Sequence, residues 1–463
     1  MDMTTIKRHI QRFKVTRFDD GARKPVDVKH VCCMFSGGPA PGGHNVIASL
    51  TLMMNEILPN TILSGARYGL KGLQSGDLMR ITPDDAETYL NTGGFYWLGT
   101  SRVDVTDDVL RQVKKQICKH GIDVLVLIGG DGTHRLTQHL YRYFKAENIA
   151  CRVLVVPKTI DGDIRFKGCG PSFGHDTAVR VYATLTQHIA RDVLSTDKYY
   201  HVIRLMGRDT SHVTYHVCKE TKPTVSIISE LLKDEGWSFK QLVDYIADVM
   251  LNRLRNGVNS GLIVLPEGVI SMFDGFKRMR IRLEECVQET SLFDEVDHAM
   301  QSDTIWTECS IDVKMHIHSH MRDNGVFSLT AIPFETLLIQ SVMSRLPTDS
   351  GISMMPHFFG YEARCAPPSP FDAEYTVVLG IETALSICQG LSGYSMNVNN
   401  SDKASSQWVL KPIYLMNENV TIKQHSLDPY RDDVVSFIQA EKRYRDRHNY
   451  KLDSIDQTNC IVG

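Results

Sequence analysis

The sequence predicts an α/β fold built on mostly parallel sheet, because one pattern recurs along it: a short apolar run, then a loop rich in glycine or polar residues, then a segment of helical period. The polar loops also differ from one another in chemistry, which simple turn formation does not require. A chain of 463 residues carrying 23% charged residues and a net charge of −3 is long enough for a large core, divided between two domains. That balance argues against disorder and against strong non-specific nucleic-acid binding.

The elements follow in order. Residues 1–29 are rich in Lys and Arg interrupted by Asp, and are expected to form a solvated N-terminal arm. Val31–Phe35 reads as a buried strand, followed by the loop Ser36-Gly-Gly-Pro-Ala-Pro-Gly-Gly43 and a helix from about Asn45 to Ile57. Val124–Ile128 is a second strand, followed by Gly129-Gly-Asp-Gly-Thr133 and a helix through Leu140. Val153–Val156 leads into Pro157-Lys-Thr-Ile-Asp-Gly-Asp163, and His201–Leu205 runs into Met206-Gly-Arg-Asp209. Gly261–Gly268 supplies a fifth strand and loop, and the charged stretch 271–327 reads as helical packing without obvious site residues. A helical pattern covers 372–391, and the tail after Trp408 mixes a strand-like segment with a charged helix from Asp432 to Arg447.

No apolar run approaches the ~20 residues needed to cross a bilayer, and no short apolar segment opens the chain as a secretory signal would. Eleven cysteines, an odd number with no CxxC pair, argue against a disulfide framework or a zinc ribbon. A reducing, cytoplasmic compartment is expected.

Each polar loop lies just past the carboxyl end of a strand, where open α/β sheets place their ligands. Small residues in Ser36–Gly43 and Gly129–Thr133 let a backbone approach a ligand ahead of helix N-termini that favour anions, so both read as a phosphate cradle. Asp131 beside such a cradle points to a cation between carboxylate and phosphate, and Mg²⁺ is the usual one. In Pro157–Asp163 two carboxylates two residues apart, with Lys158 and Thr159 beside them, can divide the roles of base and metal-side acid, although an Asp-capped turn explains the same letters. Arg208 offers a guanidinium suited to phosphoryl oxygens, or is simply a surface arginine.

These residues resemble the 6-phosphofructokinases, and within them the pyrophosphate-dependent branch of plant and spirochaete type. The matching motifs are Phe35–Ile47, Gly129–Asp131, Pro157–Asp163, Lys198–Arg208, Leu265–Gly268 and Phe358–Arg364, in the family's order over residues 30 to about 415. The resemblance implies two doubly wound, Rossmann-like domains with a cleft between them. Residues 30–175 with about 363–415 would hold the phosphoryl donor, and about 176–362 with 416–463 the sugar phosphate. It implies phosphorylation of fructose 6-phosphate at the C1 hydroxyl, a glycolytic step, by an oligomer using Mg²⁺.

By the same resemblance Asp161 is the base that takes the C1 hydroxyl proton, Asp163 its acidic companion, Asp131 the magnesium ligand and Arg208 the arginine facing the transferring group. Thr159, Met206, Gly207, Glu267, Tyr361 and Arg364 would hold the sugar phosphate, and Gly37, Arg102, Gly132 and Thr133 would lie with Asp131 at the donor. Bacterial members bring two arginines from a neighbouring subunit to the 6-phosphate, and those places hold Tyr199 and Met355 here.

The donor is read from two positions. Pyrophosphate users carry Asp where this chain has Gly132, and a carboxylate there would repel the α-phosphate of ATP. Lys158 is the residue pyrophosphate users carry, but atypical ATP-dependent members, the trypanosomal ones among them, combine Gly with Lys. ATP is therefore the expected donor, with pyrophosphate the alternative. A catalytically silent regulatory paralogue would bind the same sugar phosphate, and an NAD or lipid kinase would explain Gly129–Thr133 but leave the other motifs without a role.

Overall fold

The computed structural model describes residues 1–16, 24–165, 169–196, 198–324, 328–416 and 423–445. Contacts divide the chain into two compact units, Met1–Val181 with Tyr361–His425 and Tyr182–Gly360 with Ser426 onward. The chain thus leaves and re-enters the first unit at 181, 361 and 425, where the sequence placed the crossings at about 175, 363 and 415.

The first unit is organised by β1 (His30–Ser36), β2 (Ile62–Ala66), β3 (Leu78–Arg80), β4 (Val124–Gly129) and β5 (Arg152–Thr159). Across the sheet the order is Ile413–Tyr414, Tyr394–Ser395, β5, β4, β1, β2, β3, parallel except at β3 and Ile413–Tyr414. Val31 to Phe35, Val124 to Ile128 and Val153 to Val156 are all fully buried, as expected for parallel strands covered on both faces. The register aligns Ser36 with Gly129 and Gly129 with Pro157, so the first two loops leave the sheet at one level, while β5 runs on through Lys158 to Thr159, where a loop was expected. The strand order also reverses direction between β1 and β4, the switch point where such sheets bind ligands.

The second unit has its own parallel sheet, β6 (Tyr199–Leu205), β7 (Val225–Ser226), β8 (Gly261–Pro266) and β9 (Ser353–Phe359), in the order β9-β6-β8-β7. Here too the ends align: Leu205 pairs with Pro266 on one side and Phe359 on the other. The stretch expected to be packing holds the helices Asp274–Glu289, Phe293–Ala299, Thr304–Glu308 and Ile311–Asn324, which bury Phe276, Met279, Leu283, Val296, Trp306 and Ile317 in one core. The C-terminal helix is described from Asp432 to Arg445, and residues 446–447 of the expected helix lie outside the described residues.

The expected solvated arm is corrected. Met3–Lys14 forms helix α1, capped by the Asp2 carboxylate accepting from the Thr5 amide at 2.7 Å. Its face of Ile6, His9, Ile10 and Phe13 recurs at three- and four-residue spacing and is buried against the first unit. His9 meets Glu374 at 2.9 Å, and Arg12 donates to the carbonyls of Ser405 (2.8 Å), Ser406 (2.7 Å) and Trp408 (3.2 Å). The Lys and Arg residues occupy the other faces and disguised the apolar stripe. Residues 17–23 of the arm lie outside the described residues.

Ile6 is fully buried, so Ile6→Ala should destabilise the first unit by about 2–4 kcal/mol, read as a lowered urea midpoint for that unit.

Candidate active site

The cradle is built from β1 outward. Ser36–Gly43 turns into helix α2 (Gly43–Ile57), and Thr100 Oγ1 donates to the Gly37 carbonyl at 2.8 Å, tying the neighbouring Gly99–Arg102 segment to it. Arg102 itself is exposed. The Arg364 guanidinium lies directly over Gly38: a Cβ there would sit 1.7 Å from Nη2, so a side chain at this position would displace the cation. Arg364 Nε also donates to the Pro39 carbonyl at 3.4 Å, and its guanidinium carbon lies 5.6 Å from the Tyr361 ring centroid. Tyr361 is otherwise exposed. Both residues, expected at the sugar phosphate, belong to the first unit, and Arg364 rests on the loop expected to hold the donor.

Lys158, near the end of β5, reaches the same place. Its Nζ lies 3.8 Å from where a side chain on Gly37 would begin and 6.0 Å from the Phe95 ring centroid. Burial and the neighbouring Arg364 charge pull its pKa down to about 8, against the opposing pull of Asp161, Asp163 and Asp131. Two cations over a small-residue loop are an arrangement that can receive a phosphorylated anion.

Asp131 opens helix α3 (Asp131–Ala146) and is gripped by Arg135 one turn later. Gly132 is exposed, and a Cβ there would meet nothing within 4 Å, so the position expected to decide the donor faces open space. Thr133 is buried with its hydroxyl packed against the Gly129 backbone, and its carbonyl accepts from Thr137 Oγ1 at 2.9 Å.

The carboxylate turn folds around Thr159. Its hydroxyl donates to Asp163 Oδ1 at 2.9 Å and accepts from the Asp161 amide at 3.1 Å. The Asp163 carbonyl accepts from the His425 amide at 2.8 Å. Asp163 and Thr159 are buried while Asp161 is half-buried, so the two carboxylates meet different surroundings. Asp163 is bound into the turn, and Asp161 is the more accessible of the pair.

In the second unit, the segment after β6 is held to the loop after β8. The Gly207 amide donates to Glu267 Oε1 at 3.5 Å, and the Gly268 amide donates to the Gly207 carbonyl at 3.1 Å. Met206 is buried and Arg208 is exposed. Sequence reasoning missed the support beneath them, an ion pair of Arg204 Nε with Glu335 Oε2 at 2.7 Å, both side chains buried. Arg204 Nη1 also donates to the carbonyls of Thr330 (3.1 Å) and Ile332 (3.0 Å), and the guanidinium stacks 4.2 Å from the Phe358 ring centroid. Its position two residues before Met206, within a strand, was the available signal.

A mostly parallel sheet with glycine, lysine and carboxylate loops aligned at its switch point defines an α/β protein equipped for phosphorylated ligands. The phosphofructokinase family model matches residues 30–387, and the chain belongs to the phosphofructokinase family. It is 32% identical over 401 residues to the pyrophosphate–fructose 6-phosphate 1-phosphotransferase of Treponema pallidum, covering 82% of this chain and 70% of that protein. It is 32% identical over 389 residues to subunit beta 2 of the enzyme of that name from Arabidopsis thaliana, covering 81% of this chain and 68% of that one. Among solved structures, the pyrophosphate-dependent phosphofructokinase from Marinobacter aquaeolei shares the fold, with a TM-score of 0.62 at 14% identity, covering 89% of this chain and 91% of that one.

Lys158 is charged below its pKa of about 8 and neutral above it. Affinity for the phosphoryl donor should therefore fall as pH rises through 8, by up to ~10-fold per pH unit, and Lys158→Arg should flatten that dependence. Donor titrations from pH 6.5 to 9.5 check this.

Proposed function

We propose that this chain transfers a phosphoryl group from pyrophosphate to the C1 hydroxyl of fructose 6-phosphate, forming fructose 1,6-bisphosphate and orthophosphate. Lys158 buried beside Arg364 over Gly37–Gly38 supports phosphate binding at this loop, and the choice of pyrophosphate rests on relatives named for that donor. ATP, the donor expected from the sequence, is retained as a second reading because Gly132 faces open space where an α-phosphate could lie.

In this reading Asp161 accepts the C1 hydroxyl proton as that oxygen attacks phosphorus, and the bond to the leaving phosphate breaks. Lys158 and Arg364 hold the donor's oxygens, and the Thr159 hydroxyl keeps Asp161 and Asp163 in place. Arg208 faces the transferring group, while Met206, Gly207, Glu267 and Tyr361 serve the sugar phosphate and Gly37, Arg102 and Thr133 the donor loop. Positioning and charge neutralisation supply most of the rate in such transfers.

Mg²⁺ fits as an ion carried by the phosphates. Among the described residues no group of three or more His, Cys, Asp or Glu forms a cage, but Asp131 provides the single carboxylate that a phosphate-bound Mg²⁺ uses once Arg135 yields it. When bound it neutralises phosphate charge. No helix among the described residues is long and apolar enough to cross a membrane. A cytoplasmic location and a homo-oligomer complete the proposal.

Parallel assays with Mg²⁺, fructose 6-phosphate and either pyrophosphate or ATP test it. Turnover with pyrophosphate alone is expected; turnover with ATP alone would move the donor to the second reading, and silence with both would leave a regulatory paralogue. Gly132→Asp should suppress any ATP turnover while changing pyrophosphate turnover less than about 3-fold, since the carboxylate repels only the longer donor. Asp161→Ser should lower kcat by about 10²–10⁴-fold with little change in the sugar KM; a raised KM at unchanged kcat would make Asp161 a binding group instead.

A further inference from the structure

The helix Pro370–Cys388 runs through the interior of the first unit, buried at every position from Tyr375 to Cys388. In its first turn lies a fully buried carboxylate, Asp372. One oxygen accepts from the Gly174 amide at 3.0 Å, and the other accepts from the Thr177 amide at 2.9 Å and from the Thr177 hydroxyl. That hydroxyl in turn accepts from the Ser369 amide at 2.9 Å, and Ser369 Oγ accepts from the Asp372 amide at 3.2 Å, closing a ring.

The segment held in this way touches both functional loops. Gly174 pairs with Thr159 in a parallel bridge beside β5, and His175 Nδ1 is hydrogen-bonded to the Ile160 carbonyl at 2.7 Å. Gly174 also packs so closely on the cradle that a Cβ would lie 2.9 Å from Ala40 Cβ and 3.5 Å from Pro41 Cδ. One turn further along the helix, the Thr376 side chain lies 2.6 Å from where a Cβ on Gly42 would be. The carboxylate turn and the far end of the cradle thus rest on one helix start, distant from both in the chain.

We propose that Asp372 is a positioning residue for phosphoryl transfer, holding the Thr159–Asp163 turn and the Ala40–Gly43 end of the cradle in their working geometry. This rests on the function proposed above. A buried carboxylate is a costly way merely to join two segments, and an apolar contact would do that with less desolvation. What a carboxylate adds is acceptor capacity for three converging donors, which fixes direction as well as distance.

The same arrangement has a pH signature. Burial raises the Asp372 pKa to about 6, against the pull of the Thr177 and Gly174 hydrogen bonds, and the Asp176 charge pushes the same way as burial. Asp176 accepts from Ser369 Oγ and pairs with Arg180, and Tyr375, the other titratable neighbour, donates its hydroxyl to the Pro171 carbonyl. As pH falls through about 6 the carboxyl protonates and loses acceptor capacity, so kcat should show an acid limb there.

The test is Asp372→Asn in the full chain, whose amide presents N–H where an acceptor is needed. Expected are a kcat lower by about 10–100-fold, a fructose 6-phosphate KM within about 3-fold, and loss of the acid limb. Amide hydrogen exchange should quicken at 159–163 and 40–43 while β6 in the second unit stays protected. Thr177→Val removes one donor to the carboxylate, so it should act in the same direction more weakly and move the acid limb upward; it decides the matter if Asp372→Asn does not fold. Unchanged exchange at 159–163 in the folded variants, or a lowered kcat with the acid limb unmoved, would overturn the proposal. If the unmutated chain turned over neither donor, the proposed function would fail, and the exchange measurement would still decide whether Asp372 positions the turn.

Discussion

Parallel pairing of β1, β4 and β5 in a single register is the constraint on which the first unit depends. Each strand is buried on both faces, so each must be an unbroken apolar run, and a slip by one residue would disturb both flanking layers. With Ser36 level with Gly129 and Gly129 level with Pro157, β1 and β4 end at the same height and β5 runs two residues further. The glycine loop and the Asp131 helix start therefore emerge together, with Lys158 beside them near the end of β5 and the Thr159–Asp163 turn just beyond. Their chemistry is a consequence of where the sheet ends.

Charge is then managed by unequal burial. Lys158 is buried and Arg364 lies over Gly38, so the cradle concentrates positive charge where its own backbone offers little bulk. The carboxylates are spread around that charge, Asp163 tied to Thr159 and Asp131 to Arg135, with Asp161 the more accessible member of its turn. Burial and the Arg364 charge outweigh the three carboxylates and lower the Lys158 pKa to about 8, and perturbed groups of this kind cluster at functional sites. The second unit solves a comparable problem beneath Met206 with the Arg204–Glu335 pair, which carries two charges into the interior and satisfies the guanidinium with carbonyls and a ring face.

Much of this was legible in the linear text. The parallel strands and the loops after them stood out because apolar runs and glycine clusters alternate. The family was legible because six motifs recur in order. What stayed hidden depended on partners far away in the chain. The stripe Ile6, His9, Ile10, Phe13 was masked by interleaved Lys and Arg, and its amphipathic face became evident only against Glu374 and Ser405–Trp408. Ser369-Pro-Phe-Asp372 reads as an ordinary helix start, and nothing in those letters says that its carboxylate serves Gly174 and Thr177. The glycine at position 38 announces a close approach but not that Arg364 makes it.

Local periodicity, and the side chains a turn can accept, are enough to specify the layered α/β class, most strand and loop positions and the residue types gathered for phosphoryl chemistry. That Lys158 and Arg364 share the glycine cradle, and that Asp372 accepts from the segment touching both loops, emerges from the folded chain alone. The physical reason is that burial and hydrogen bonding between segments hundreds of residues apart are set by packing, which no local pattern encodes.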